Sequence, residues 1–328
     1  MISTKSILTQ GNVGFFDFGK AAFPNCDYFN PSLVTLRGED WLVVRRAIWQ
    51  PGQKMGQNSL FAFALNGKIP SHGRRIKCIG TPSEHFEDPR AIVHGERMLI
   101  GSTSFFIMGP KNSRWTGAHQ ILQEVNFDWQ ATKRYDPVYG KNGPSPFTNS
   151  GHEKNWTWFI HGGELHMEYQ ANPHIICRLS GDAVVEQSYI CDAVKLPWDY
   201  GEIRGGTPPV MVDGEYWTFF HSSLQIPNHK KRQYHMGAYA FKSTPPFDIT
   251  RITPDPILSG SPADGGWPDK PPCVFPGGSK IIDGMWTIVG GCNDIRCFWM
   301  DVLHDEVLSL TSPVKKSILS KAKPLLTA

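Results

Sequence analysis

The 328-residue chain contains no run of eighteen or more apolar residues, so it offers no membrane-spanning helix. Met1–Asn12 lacks an apolar signal core. The seven cysteines are odd in number and scattered, and no Cys-x-x-Cys pair occurs. A disulfide framework and a zinc ribbon are thereby disfavoured. These absences lead to the expectation of a soluble, cytoplasmic protein with reduced thiols. Charge is also sparse: 19% of residues are charged, and the formal net charge is only +3. No dense Lys/Arg face marks a nucleic-acid binder. Gly-x-Ser-x-Gly, a phosphate-binding Walker loop and a dinucleotide fingerprint are all missing. Helical periodicity is nearly absent, with Gly117–Val125 and Lys315–Lys323 the only segments read as short helices.

What the chain has in quantity is glycine (32), proline (26) and aromatic residues (12%). That mixture suits many short strands joined by tight turns around a sizeable core. One unit recurs: an apolar strand, a turn containing Gly, and a second apolar strand. Its anchors are Gly38, Gly95, Gly162, Gly214 and Gly284, spaced by 52 to 70 residues. Each hairpin leaves chain enough for two more strands. The repetition predicts an all-β fold, a single five-bladed β-propeller spanning 1–328, with four-stranded antiparallel blades and a central funnel. An irregular β-sandwich is the alternative. Pro110–His152 reads as an insertion, and the tail 304–328 as a segment packed on the propeller or joining subunits of a homo-oligomer.

In a propeller the innermost strands converge on one cavity. The residues entering each hairpin are polar: Asn30; Glu87 and Asp88 with Arg90; Glu153, Lys154 and Asn155; Arg204 with Thr207. Near the ends of the second strands stand Arg45, Ser102, Tyr169, His221 and, slightly later, Asp294. A ring of carboxylates, cations and amides suits a polar, hydroxyl-rich or anionic ligand. Strand alternation allows only one of Glu87 and Asp88 to face the cavity. Twelve histidines show no metal-ligand spacing, His152, His161, His166 and His174 included, and no metal or cofactor is expected. Trp267 is read as a sugar-stacking ring or a core residue. The basic run Asn228–Arg232 is read as a solvated turn or a contact for an anionic substrate.

Phe86-Glu87-Asp88-Pro89-Arg90 resembles the Glu-Asp-Pro-Arg signature of glycoside hydrolase family 130, five-bladed propellers that include β-mannoside phosphorylases and β-mannosidases, with related mannosyltransferases. Phe29-Asn30-Pro31 with Leu42-Val43-Val44-Arg45 resembles the family's first blade. Gly205-Gly206-Thr207-Pro208-Pro209 with Phe219-Phe220-His221, and Tyr234-His235-Met236-Gly237-Ala238, are similar to its fourth-blade segments. Val274-Phe275-Pro276-Gly277-Gly278 followed by Asp294 resembles its ending. The resemblance implies that Asp88 is the general acid of an inverting mechanism. It further implies that Arg45, Lys154 and Arg204 hold phosphate as co-substrate, and that Asn30, Arg90, Asn155, His221, Tyr234 and Asp294 contact the sugar. Two departures stand out. Where the family's phosphorylases carry Arg-x-Pro, this chain has Gln170-Ala171-Asn172-Pro173-His174, and Glu153 has no counterpart. A carboxylate there would repel phosphate and could activate water, so Glu153 and Glu202 are candidate bases. The implied activity is mannosyl transfer between a β-glycoside and phosphate or water. Synthesis from a sugar phosphate or nucleotide sugar, and non-catalytic glycan binding, are the alternatives.

Overall fold

The computed structural model describes residues 12–19, 26–48, 56–108, 114–115, 118–137, 153–191, 194–227, 231–266 and 270–315. The fold is all-β and propeller-like. Among the described residues the strands form five antiparallel sheets that follow one another along the chain. The first sheet is Cys26–Leu36, Glu39–Ile48, Gln57–Asn66 and Ile69–Arg75; the second is Glu84–His94, Arg97–Met108, His119–Val125 and Ala131–Tyr135. The third is Thr157–His161, Glu164–Gln170, Ile175–Leu179 and Val185–Ile190. In the fourth, two short strands, Glu202–Arg204 and Val210–Val212, share the long neighbour Glu215–Gln225, which is followed by Arg232–Lys242 and Ile249–Ile252. The fifth is Val274–Ile282, Met285–Cys292 and Arg296–Leu303, completed by Val13–Phe15 from the other end of the chain.

The five turn glycines read from the sequence all adopt positive φ, from 58° at Gly162 to 84° at Gly214. Nothing lies near the position a Cβ would take at any of them, so the requirement is conformational rather than steric. Apolar side chains fill the spaces between sheets. Phe86, Met98 and Ile121 meet Val43 and Leu60 between the first two sheets, and Trp158 and Met167 meet Leu99 and Leu122 between the next two. Phe159 packs on Phe220 and Tyr239, and Trp217 and Phe219 on Trp286 and Ile288. Val289 and Cys297 of the fifth sheet then pack on Leu33, Leu42 and Phe61 of the first. Each sheet thus shares a core with its neighbours on both sides, and the series returns to its start.

Several expectations change. Three sheets have four strands, but the second also carries Arg114–Trp115, and the fourth also takes Leu258–Ser259 and Ser312–Pro313. Val13–Phe15 closes the fifth sheet through the register Val13↔Met300 and Phe15↔Phe298, a pairing no local pattern announces. His119–Val125 is a strand, not a helix. It lies between two strands and its Ile121 and Leu122 are fully buried, which gives a short apolar run without readable period. The helix read over Lys315–Lys323 lies outside the described residues beyond Lys315, as do Trp267 and Asn228–Lys230. Pro110–His152 is not simply an insertion, since it supplies His119–Val125 and Ala131–Tyr135 to the second sheet; its residues 110–113, 116–117 and 138–152 lie outside the described ones. The start of the tail forms a short helix, His304–Ser309, and Ser312–Pro313 adds to the edge of the fourth sheet beside Arg251–Ile252.

Candidate active site

The first strands of the sheets converge. Cys26–Leu36 packs against both Glu84–His94 and Val274–Ile282, and Glu84–His94 also meets Thr157–His161. Near their entries three of these strands slip register. Phe29 faces Arg45 and Ser32 faces Val43, so Asn30 and Pro31 together oppose one residue. In the second sheet Glu87 faces Thr103 and Arg90 faces Gly101, so Asp88 and Pro89 do the same. Gly277 is the extra residue in the fifth sheet. Asn30, Asp88 and Asn155 all adopt left-handed backbone conformations, φ +49°, +51° and +66°. Asn and Asp tolerate that region better than other side chains. A bulge breaks alternation, and its effect here is chemical: Glu87 and Asp88 both line one cavity of about 410 Å³. The expectation that only one of them could do so is therefore corrected.

Asn30, Arg45, Lys154, Asn155, Arg204, His221, Tyr234 and Asp294 line the same cavity. At its centre the Asn30 amide donates to Asp88 Oδ1 at 2.7 Å. Arg45 spends its guanidinium on the surrounding wall. It donates from Nε to Asn58 Oδ1 at 3.0 Å and from one terminal nitrogen to Asp88 Oδ1 at 3.2 Å, and the other nitrogen pairs with Glu87. Asn58 closes the loop by donating to Glu87 Oε1 at 3.1 Å, and Lys154 Nζ stands 3.5 Å from the other Glu87 oxygen. Across the cavity Lys270 Nζ lies 3.8 Å from Asp294.

The two adjacent carboxyls are driven apart in acidity. Burial pushes both up. At Asp88 the Arg45 and Lys154 charges, the Asn30 amide and Arg90 together outweigh burial and hold the carboxyl below its usual range. At Glu87 burial, helped by the neighbouring Asp88 charge, prevails over Arg45 and Lys154, and the carboxyl rises. Glu87 is thereby the more basic carboxyl of the two. His221 is pushed down to about 3, first by burial and then by the Arg90 and Arg204 charges. Its ring packs on Phe275, centroids 4.4 Å apart, and lies nearly parallel to Tyr234 at 6.1 Å. It is a neutral imidazole at any ordinary pH.

Six residues named from the sequence do not line this cavity: Arg90, Ser102, Thr207, Tyr169, Glu153 and Glu202, with Ser102 and Thr207 fully buried. Arg90 is 2% exposed and lies beneath it. Its guanidinium donates to the carbonyls of Gly206, Pro89 (2.9 Å) and Pro276 (3.4 Å) and lies over the Phe275 ring. Arg90 thus ties three sheets together rather than reaching a ligand. Glu153 and Glu202 line an adjoining pocket of about 240 Å³, which shares Lys154, Asn155 and Arg204 with the main cavity. Sequence reasoning passed over Asn58, Phe105, Lys270, Cys273 and Phe275, which complete the wall. Among the described residues no cluster of three or more His, Cys, Asp or Glu could hold a metal, and no helix is long and apolar enough to cross a membrane.

The fold is all-β and propeller-like, with two buried carboxyls of opposite shift, bridged by Arg45, in the cavity where its inner strands meet. No family model and no curated protein matches the chain by sequence. Solved structures do match it by shape. β-1,2-Mannobiose phosphorylase from Listeria innocua, solved with β-1,2-mannobiose, superposes with a TM-score of 0.66 at 12% identity, covering 91% of this chain and 99% of that one. A structure from the GH130 family of mannoside phosphorylases, described as containing hydrolases that target β-1,2 mannosidic linkages in Candida mannan, gives 0.60 at 14% identity over 85% of each chain. A GDP-Man-dependent mannosyltransferase from Leishmania mexicana gives 0.58 at 14% identity, over 89% of this chain and 88% of that one. The resemblance to family 130 is thus one of fold, at sequence identities that mark this chain as divergent.

Proposed function

We propose that the protein is a carbohydrate-active enzyme that transfers a mannosyl-like residue between a β-glycoside and phosphate or water, on a propeller of five blades. The blade count rests on the five sheets and the closed series of cores between them. The observation that carries the activity is the Asn30–Asp88–Arg45–Glu87 constellation, two buried carboxyls bridged by one guanidinium in a polar cavity, in a fold shared with mannoside-active enzymes. Asp88 is the general acid toward the glycosidic oxygen. Because its neighbours hold Asp88 ionised, it must gain a proton as substrate enters, and Glu87, the more basic carboxyl and joined to it through Arg45, is the nearby group that can supply one. Excluding water raises the cost of the Asp88 charge and moves the proton across the pair. Asp294 and the neutral His221 present acceptors to sugar hydroxyls from the opposite wall.

Arg45 is not the phosphate ligand that the resemblance implies, since the Asn58, Glu87 and Asp88 oxygens take up its guanidinium. Lys154, Arg204 and Lys270, which line the cavity and pair with Glu87, Glu202 and Asp294, are the other cations that an anion would meet. The same three favour a second reading, synthesis from a sugar phosphate or nucleotide sugar, in which they receive the leaving phosphate.

The test is a product assay with β-linked manno-oligosaccharides, with and without inorganic phosphate, and in the reverse sense with mannose 1-phosphate or GDP-mannose. NMR of the first-formed anomer checks inversion. Asp88→Asn is expected to lower turnover by about 10²-fold or more. Its amide oxygen still accepts from Asn30, so the melting temperature should stay within a few degrees. Full turnover in Asp88→Asn removes the mechanism, and no turnover on any substrate of the panel removes the reading.

A further inference from the structure

We infer that His85 and Asn58 are positioning residues for the carboxyl pair, and that His85 holds Asn58 in place only as a neutral imidazole. The chemistry assigned to the pair rests on the carbohydrate reading above; the support beneath it rests on hydrogen bonds that hold whatever the substrate. Asn58 is 7% exposed, and its amide serves two sheets at once. The oxygen accepts from Arg45 Nε at 3.0 Å, and the nitrogen donates to Glu87 Oε1 at 3.1 Å and to the Gly56 carbonyl at 3.2 Å. A carboxylate in its place would meet Arg45 but face Glu87 with like charge. What fixes Asn58 is its own backbone. The fourth strand of the first sheet pairs only from Phe61 onward, so no ladder partner meets the Asn58 N–H on that side. It donates instead to His85 Nδ1 at 3.1 Å, across to the second sheet.

A ring nitrogen that accepts carries no proton, so the proton of His85 sits on Nε2 and the ring is uncharged. The ring stacks on Phe105, centroids 5.6 Å apart and planes at 25°, and Phe105 lines the cavity. On its own strand Glu84 and Glu87 flank it. Glu84 is engaged by Arg134 and Ser104, and Glu87 by Arg45, Lys154 and Asn58. From the first sheet it faces the Arg45 charge. Burial first, and then Arg45, hold the ring below the ordinary imidazole range. It is only half-buried, so protons from solvent can reach it. Protonation would put an N–H on Nδ1, directly against the Asn58 N–H. Two donors cannot bond. Acid therefore unfastens Asn58, and Arg45 and Glu87 lose the amide that spaces them.

Nitrogen-15 NMR of protein labelled in histidine reads the support without turnover. The signal lost in His85→Asn assigns the ring. Its Nδ1 should show the shift of an unprotonated nitrogen at pH 7 and take up a proton only below the pH 6.5 of a free imidazole. Kinetics on whichever substrate of the panel turns over read the consequence. His85→Leu removes the acceptor and should lower kcat by about tenfold or more with little change in KM. In His85→Asn the side-chain Oδ1 can take the place of Nδ1 but does not titrate. That variant should recover most of the loss and move the acid limb of the kcat profile down by about half a pH unit or more. A merely structural histidine would lower the melting temperature without moving the limb. A protonated Nδ1 at pH 7, or an unmoved acid limb in folded His85→Asn, overturns the assignment and leaves the carbohydrate reading standing. If no substrate of the panel turns over, that reading falls, and the NMR alone decides whether His85 supports Asn58.

Discussion

The neutral state of His221 makes a quantitative prediction that needs no knowledge of substrate. The ring is 3% exposed, its Nδ1 makes no hydrogen bond among the described residues, and burial with Arg90 and Arg204 lowers its pKa to about 3. In the unfolded chain the same ring titrates near pH 6.5. The folded value lies below the unfolded one, so the unfolded state takes up the proton first as pH falls. The stability this histidine contributes is complete above pH 6.5 and is lost progressively from there down to about pH 3. Linkage then gives a loss of about 2 kcal/mol between pH 7 and pH 5, and about 3 kcal/mol by pH 4. The pH 5 figure hardly depends on where below 4 the folded group titrates, because only the unfolded state is gaining protons there. Urea unfolding at pH 7, 6, 5 and 4 measures the total, and the same series on His221→Gln isolates this residue. Other acid-sensitive groups, His235 among them at about 4, are present in both proteins and cancel. The wild-type curve should fall below the variant's by the stated amounts as pH drops. Parallel curves would refute the claim that a buried, uncharged imidazole lines the cavity.

Two further substitutions test the wiring around the carboxyl pair. Arg90→Lys keeps the charge but cannot reach the carbonyls of Gly206, Pro89 and Pro276 together. Leaving buried carbonyls unmet should cost about 3 kcal/mol in chemical denaturation, and a change below about 1 kcal/mol would show that Arg90 is not a tie between sheets. Glu87→Gln removes the more basic carboxyl of the pair. Asp88 then titrates alone, from a lowered value, so the protonated form disappears at lower pH. The alkaline limb of the kcat/KM profile should move down, with a drop of about tenfold near neutrality. An unshifted limb would mean that Glu87 takes no part in proton supply.

The repeat was legible because its signal is local. A glycine at positive φ between two apolar strands needs no distant partner to be recognised, and five of them mark five hairpins. The same logic placed Asn30, Asp88, Asn155 and Arg204 at a common opening, and Arg45 and His221 at the far ends of their hairpins. What stayed hidden depends on pairing across long stretches of chain. Val13–Phe15 is only three residues long and finds its partner in Phe298–Met300. Asn58 is the second residue of the third strand of the first sheet. It joins the site only because Arg45 and Glu87 both reach it, a coincidence of two sheets that no single segment displays. Arg90 misled for a related reason. An arginine beside a carboxylate reads as a ligand contact, yet three carbonyls around it claim the guanidinium.

The misplacement of Glu87 is the most instructive. Alternation assigns adjacent strand residues to opposite faces, and it failed where the strand is not regular. Asn30-Pro31 and Asp88-Pro89 are the same device in consecutive sheets: a residue that tolerates the left-handed region, then a proline that cannot donate to the ladder. Read as a pair, Asn-Pro and Asp-Pro at matching repeat positions announce a bulge in each inner strand. The bulge turns two consecutive side chains toward one space, and so Glu87 and Asp88 come to share a cavity, with Arg45 bridging them and Asn30 fixing the orientation of Asp88. The irregularity is what builds the site. A regular strand would have buried one carboxyl in the wall and left the other without its partner.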